Sequence, residues 1–208
     1  MLYELICKTA DPTYRFTLQE KCELLTRAPD VFDSLPPRVP ALLARVEVFK
    51  SVTRLIVGRA GIGDIVANFP ARIQLMCFEP DPFKQQIGKV LVPKANWSDL
   101  DISTHAFNVY DVGEPDPGHV LLCRPPVGAS LPSLSRLGPL QYTGHQVALR
   151  HMEAIRRQAP AWMKTYFLVP YSLIQSPASL RKFTRETRWR LEIVAVIEDF
   201  ALVSIEGI

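Results

Sequence analysis

The sequence predicts a mainly β protein organised around a small, closed antiparallel sheet between residues 53 and 126. Five short apolar runs follow one another there: RLIVG (54–58), ARIQLMCF (71–78), IGKVLV (87–92), HAFNVYDV (105–112) and HVLLC (119–123). Turn-forming clusters separate them, namely GIGDI (61–65), EPDPF (79–83) and EPDPG (114–118), and Gly, Pro, Asn and Asp at such places mark strand ends. The spacings are too short for crossover helices, so the strands are expected to run antiparallel and close into a five-stranded OB-fold-like barrel. Its interior is assigned to Ile56, Val66, Ile73, Leu75, Val90, Val92, Val109, Val120 and Leu122.

The flanks read as α/β additions to that barrel. Residues 1–9 alternate like a strand, and residues 16–28 carry Leu18, Cys22 and Leu25 at helical spacing behind Thr17 as a cap. Ser34-Leu35-Pro36-Pro37 and Pro40 form a stiff connector, and 41–52 returns to helical spacing. Residues 1–52 are therefore an N-terminal extension, 53–126 the barrel, 127–143 a Pro/Gly/Ser-rich linker and 144–208 a C-terminal extension. Within the last, 144–160 reads as an amphipathic helix ended by Pro160, and 162–174 is an aromatic-dense stretch suited to core or protein interface. Residues 191–207 read as a hairpin turning at Glu198-Asp199. The Gly58–Asp64 segment fits neither GxGxxG nor the phosphate loop and reads as a tight turn between strands.

Composition narrows the classes. An apolar fraction of 48% excludes a disordered chain, while 24 Lys+Arg against 21 Asp+Glu leaves only +3, so any polyanion contact must rest on local clusters. The densest is LRKFTRETRWR (180–190), where Arg181, Lys182, Arg185, Arg188 and Arg190 face one acid, Glu186. Arg54, Arg59, Lys84, Lys89 and Arg124 lie at strand ends of the expected barrel, where OB-folds meet nucleic acid. The cysteines, Cys7, Cys22, Cys77 and Cys123, sit singly in apolar runs and read as free thiols, and the histidines have no metal-like spacing. No nucleophile elbow, HExxH or CxxC occurs, no cofactor or metal is called for, and the chain is not expected to be an enzyme. No run of about 18 apolar residues suggests a membrane span, and no targeting segment is evident.

Arg54-x-Ile56-Val57-Gly58, Asp81-Pro82-Phe83-Lys84, Tyr110-Asp111, Gly118-His119-Val120-Leu121-Leu122 and Arg124-Pro125, taken in order, resemble the S-seventeen family of small-subunit ribosomal proteins. The opening Tyr-Glu-Leu also resembles the start of the S-six ribosomal family. The first resemblance implies an OB-fold that is a structural constituent of the small ribosomal subunit, here mitochondrial, with ribosomal RNA and other ribosomal proteins as partners. It implies no membrane and no small-molecule substrate. The family's turn lysine is missing from Asn68-Phe69-Pro70-Ala71, and its basic tail is reduced to Arg124. The ten cations named above are the RNA-binding candidates under this reading. An accessory structural subunit of another organellar assembly, such as a respiratory or ATP synthase complex with protein contacts alone, is the alternative.

Overall fold

The computed structural model describes residues 2–8, 11, 13–21, 23, 35–103, 114–126 and 145–207. They form two compact units, Met1–Leu100 and Asp101–Ile208.

The first unit contains helices α1 (Leu2–Lys8), α2 (Arg38–Leu43) and α3 (Pro82–Leu91), and strands β1 (Arg54–Gly58), β2 (Gln74–Phe78) and β3 (Asn96–Ser98). β1 pairs in parallel with β2, Leu55 opposite Leu75 and Val57 opposite Cys77, and β2 pairs in parallel with β3, Cys77 opposite Trp97. A parallel pair needs a crossover. Between β1 and β2 that crossover contains only a short 3-10 turn, Asp64–Val66, in place of an α-helix. Its brevity gives the sequence the spacing of a hairpin. Between β2 and β3 the crossover is α3. Asp81 caps this helix, accepting from the Phe83 and Lys84 amides at 2.9 and 3.3 Å, and Pro82 stands in its first turn. The run IGKVLV, expected as a strand, is thus mostly the second half of α3, with Gly88 seated on Trp97 of β3. A Cβ built on Gly88 would lie 2.2 Å from the indole.

The second unit contains β4 (His119–Cys123), α4 (His145–Gln158), β5 (Lys164–Pro170), α5 (Tyr171–Ile174), α6 (Pro177–Thr187), β6 (Trp189–Ile197) and β7 (Phe200–Gly207). β4 and β5 are parallel, β5 and β7 antiparallel, and β6 and β7 form an antiparallel hairpin with a bulge between Ile193 and Ala195. The helix expected over 144–160 and the hairpin turning at Glu198-Asp199 are both present, and the aromatic stretch becomes the buried strand β5.

The sheet order is β3-β2-β1-β4-β5-β7-β6. The five-stranded antiparallel barrel is therefore wrong, and so is the mainly β class: the described residues form a seven-stranded mixed sheet with helices. β1 and β4 are buried along four consecutive residues and β5 along five. Continuous burial means that both faces of these strands are covered, as in parallel sheets of α/β proteins. Ile56, Val66, Ile73, Leu75, Val92, Val120 and Leu122 are buried as expected, but in the cores of an open sheet. Residues 105–112, including Val109, lie outside the described residues, as do Cys22 and the linker. Residues 1–9 hold helix α1, not a strand.

Candidate functional site

In a parallel sheet the strand ends that point toward ligands are the carboxyl ends, where loops leave the sheet. In the first unit those ends gather three segments: 58–64 after β1, 79–81 after β2 and 98–100 after β3.

The segment after β1 turns through alternate left-handed residues, Arg59 at φ 51°, Gly61 at 60° and Gly63 at 84°. Glycine occupies this region without steric cost, whereas a side chain there costs about 1–2 kcal/mol. The Ala60 amide donates to the Phe78 carbonyl at 3.0 Å, and the Gly63 amide to the Ala60 carbonyl at 2.9 Å. Ile62 is buried in a cluster with Leu5 of α1 and Ile87 of α3, so the loop is held from below. Gly63 is also required for space, since a Cβ there would come within 2.8 Å of Val92. Asp64, buried, accepts the Leu35 amide at 2.6 Å and so ties the preceding segment to the loop.

Glu79 is the first residue past β2 and is only 5% exposed. One carboxylate oxygen accepts the Gly61 amide at 2.8 Å and the other accepts the Asp81 amide at 3.0 Å, while the Glu79 amide donates to the Ser98 carbonyl at 2.9 Å. One residue thereby joins the ends of all three strands. Burial raises the Glu79 carboxyl above the ordinary glutamate range, opposed by the two amides and by the nearby charges of Lys84 and Arg59. Past β3, exposed Asp99 stands beside Leu100, which leaves 39% of its surface open. The arrangement offers an oriented carboxylate to hydroxyl donors, with an acid and an apolar side chain alongside. Among the described residues no group of His, Cys, Asp and Glu is arranged to hold a metal ion.

The expected nucleic-acid residues are distributed differently. Arg54 opens β1, at the strand end opposite Arg59, and its Nε donates to Gln74 at 3.2 Å. Lys84 and Lys89 lie on α3, where Lys89 donates to Gln85 at 2.8 Å, and Arg124 follows β4. These five do not share one strand-end surface, because the barrel that would have gathered them does not form. Arg181, Lys182 and Arg185 are all exposed on α6, whose Phe183 is buried; Arg181 and Arg185 are one turn apart, and Lys182 lines a groove with Glu186 and with Arg150 of α4. Glu186, the acid of that helix, instead pairs with Arg150 of α4. Arg188 follows the helix in a left-handed conformation, φ 62°, and Arg190 on β6 lies 3.6 Å from Glu206.

No family model matches the chain, and no curated protein matches it in sequence. Solved structures do. A structure described as a class I S-adenosylmethionine-dependent methyltransferase from Listeria monocytogenes matches 92% of this chain and 68% of its own at a TM-score of 0.62 and 11% identity. A methyltransferase from Geobacter sulfurreducens matches 99% of this chain and 96% of its own at 0.52 and 10% identity. A modification subunit of a type I restriction enzyme from Vibrio vulnificus matches 94% of this chain at 0.53 and 14% identity, the chain spanning 50% of that subunit's length. The antiparallel β7 between β5 and β6 separates this sheet from the all-parallel dinucleotide-binding one. The chain has the class I methyltransferase fold.

This methyltransferase fold overturns the ribosomal reading. The resemblance to the S-seventeen family, the role as a structural constituent of the small ribosomal subunit, and ribosomal RNA and proteins as partners all rested on the barrel. The alternative, an accessory subunit of another organellar assembly, finds no support in the fold either. The expectations of no enzyme and no small-molecule substrate fall with them, since the structures sharing this fold are enzymes, one of them named for a small-molecule donor. Glu79, which the site is built around, is hidden in the sequence inside the turn EPDPF. It does carry a signal there: an acid stands directly after an apolar strand, 18 residues beyond a glycine of a preceding strand-end loop.

Proposed function

We propose that the protein is an S-adenosylmethionine-dependent methyltransferase whose donor binds at the carboxyl ends of β1, β2 and β3. The observation that carries this reading is Glu79, held by the Gly61 and Asp81 amides at the end of β2 in a sheet of this order. A buried carboxylate oriented by backbone amides suits the two hydroxyls of a ribose, which it accepts at its remaining lone pairs. Asp99 and Leu100 suit a purine, the acid toward its amino group and the leucine against its face. S-adenosylmethionine supplies an activated methyl group on a sulfonium, and the chain's part is to hold the donor, position the acceptor and exclude water. The cations Arg181, Lys182 and Arg185 on α6 support a phosphate-bearing polymer on the acceptor side of the reaction.

Calorimetric titration of the purified protein with S-adenosylmethionine tests the donor site. Glu79→Gln removes the charge while keeping one acceptor oxygen, and it is expected to weaken binding roughly 10-fold or more, as for hydrogen bonds to a charged group. No binding by the unaltered protein at millimolar donor, or equal affinity in the variant, would refute the assignment.

A further inference from the structure

We infer that the second unit carries a small-molecule site of its own at the amino end of β5, a pocket that takes a zwitterionic ligand of the aromatic amino-acid class. The pocket encloses about 360 Å³, with Tyr166, Ser204 and Glu192 in its floor and Arg156, Trp162 and Lys164 around them. That volume suits a small ligand. In open α/β sheets the ligand crevice lies outside the carboxyl ends of the parallel strands, whereas this pocket lies where Lys164 begins β5. Its residues all belong to the unit Asp101–Ile208. None of them is among those proposed to hold the methyl donor.

The floor is one face of three neighbouring strands. Tyr166 of β5 lies opposite Ser204 of β7, and Ser204 opposite Glu192 of β6, so these side chains stand on the same side of the sheet. Two residues further along, Lys164, Glu206 and Arg190 stand on that side as well, and there Arg190 lies 3.6 Å from Glu206. The bulge between Ile193 and Ala195 adds Val194 beside Glu192 in the lining, and bulges re-aim side chains in this way next to functional sites. Trp162 leaves 37% of its surface open and has the His119 ring 6.1 Å away, which makes it a flat apolar wall for an aromatic ring. Charge decides the rest. Arg156 is turned to the Ala159 carbonyl at 3.5 Å, and Glu206 to Arg190. Lys164 and Glu192 are the charges left over: both are exposed, and among the described residues neither side chain makes a hydrogen bond or an ion pair. Strand β7 runs between theirs and sets their backbones about 10 Å apart. A ligand lying across the floor therefore meets an ammonium on one side and a carboxylate on the other. An α-amino acid presents the complementary pair, its carboxylate to Lys164 and its ammonium to Glu192, through charge-assisted hydrogen bonds. A ligand with a single charge leaves one of the two unmatched.

The test sets three ligands against three proteins. L-phenylalanine carries both charges, phenethylamine lacks the carboxylate, and hydrocinnamate lacks the ammonium. Calorimetric titration of the unaltered full chain is expected to give saturable binding of L-phenylalanine with a Kd of about 1 mM or tighter, and each analogue should bind at least roughly tenfold more weakly. Glu192→Gln should erase the preference over hydrocinnamate, and Lys164→Gln the preference over phenethylamine, each to within about twofold. A merely structural role would weaken all three ligands alike. Both positions are exposed, so the variants should melt as the unaltered protein does. No saturation by L-phenylalanine at about 10 mM, equal binding of the three ligands, or preferences that survive both substitutions would overturn the inference. Displacement of L-phenylalanine by S-adenosylmethionine would overturn it too, because the amino acid would then occupy the donor site. If S-adenosylmethionine does not bind at all, the donor reading fails and the outcome for the three amino-acid ligands stands on its own.

Discussion

Glu79 combines a buried position with a proposed task that requires charge. Removal from water favours its protonated form, while the Gly61 and Asp81 amides and the neighbouring cations favour the carboxylate, and burial prevails. For an acid whose folded-state pKa is raised, the unfolded chain releases its proton first. Its contribution to stability is therefore greatest below the ordinary glutamate range and is lost as pH rises from there to the raised value. Donor binding runs the other way, because ribose hydroxyls donate to the carboxylate. S-adenosylmethionine affinity is expected to fall on acidification at a pH above the ordinary glutamate range, and Glu79→Gln should abolish that dependence. Titrating the binding constant against pH in both proteins checks this, and an unchanged profile in the variant would assign the dependence to another group. Cys77, close by in β2, is a different case: burial pushes its thiol up to about 12, so it stays neutral and serves as an apolar core residue.

At the level of elements, packing of helix on strand decides the geometry of the site. α3 can approach β3 only because Gly88 has no side chain: a Cβ there would sit 2.2 Å from the Trp97 ring. That ring is fixed by its own hydrogen bond, Nε1 to the Val92 carbonyl at 3.4 Å. Gly88→Ala is expected to destabilise the protein by about 1–3 kcal/mol, as overpacked cores do, and to loosen the loop, since Gly63 abuts the same ring. Chemical denaturation measures the first effect, and a stability equal to that of the unaltered protein would mean that the indole yields freely. The same elements explain what is legible in the sequence. Helix α4 and the β6–β7 hairpin follow from periodicity and turn chemistry, the stretch that forms β5 reads only as core or protein interface, and the strands β1, β2 and β4 lie within the runs assigned to them. Their direction is not legible from spacing. RLIVG and HVLLC are unbroken apolar runs, the mark of strands covered on both faces, yet at five residues each they also pass for weak alternation. The short 3-10 crossover between β1 and β2 removes the helical pattern that announces a parallel pair. In IGKVLV a helix end carries an apolar run short enough to pass for a strand, although Asp81-Pro82 is a helix start.

For the molecule as a whole, a formal charge of +3 over 208 residues conceals an uneven surface. Ion pairs neutralise the inner side of the α4 and α6 helices, where Arg150 meets Glu153 and Glu186, and Arg157 meets Glu153. The exposed cations of α6 have no such balance: among the described residues no acid pairs with Arg181, Lys182 or Arg185. Arg181 and Arg185 are four apart on a helix, a like-charge spacing that costs a few tenths of a kcal/mol. A phosphate backbone laid along this face would reverse that cost and release counterions. Binding of a labelled oligonucleotide is therefore expected to weaken steeply with salt. Replacing Arg181, Lys182 and Arg185 together by alanine should lower affinity about equally for unrelated sequences, because phosphate contacts carry no sequence information. It should also flatten the plot of log affinity against log salt by roughly 2–3 on duplex DNA, about 0.9 for each phosphate no longer neutralised. These positions are far in sequence from Glu79, so the triple variant should still bind S-adenosylmethionine as the unaltered protein does. An unchanged salt slope in the triple variant would make the exposed cations of α6 an ordinary solvated surface and leave the methyl acceptor to be sought elsewhere.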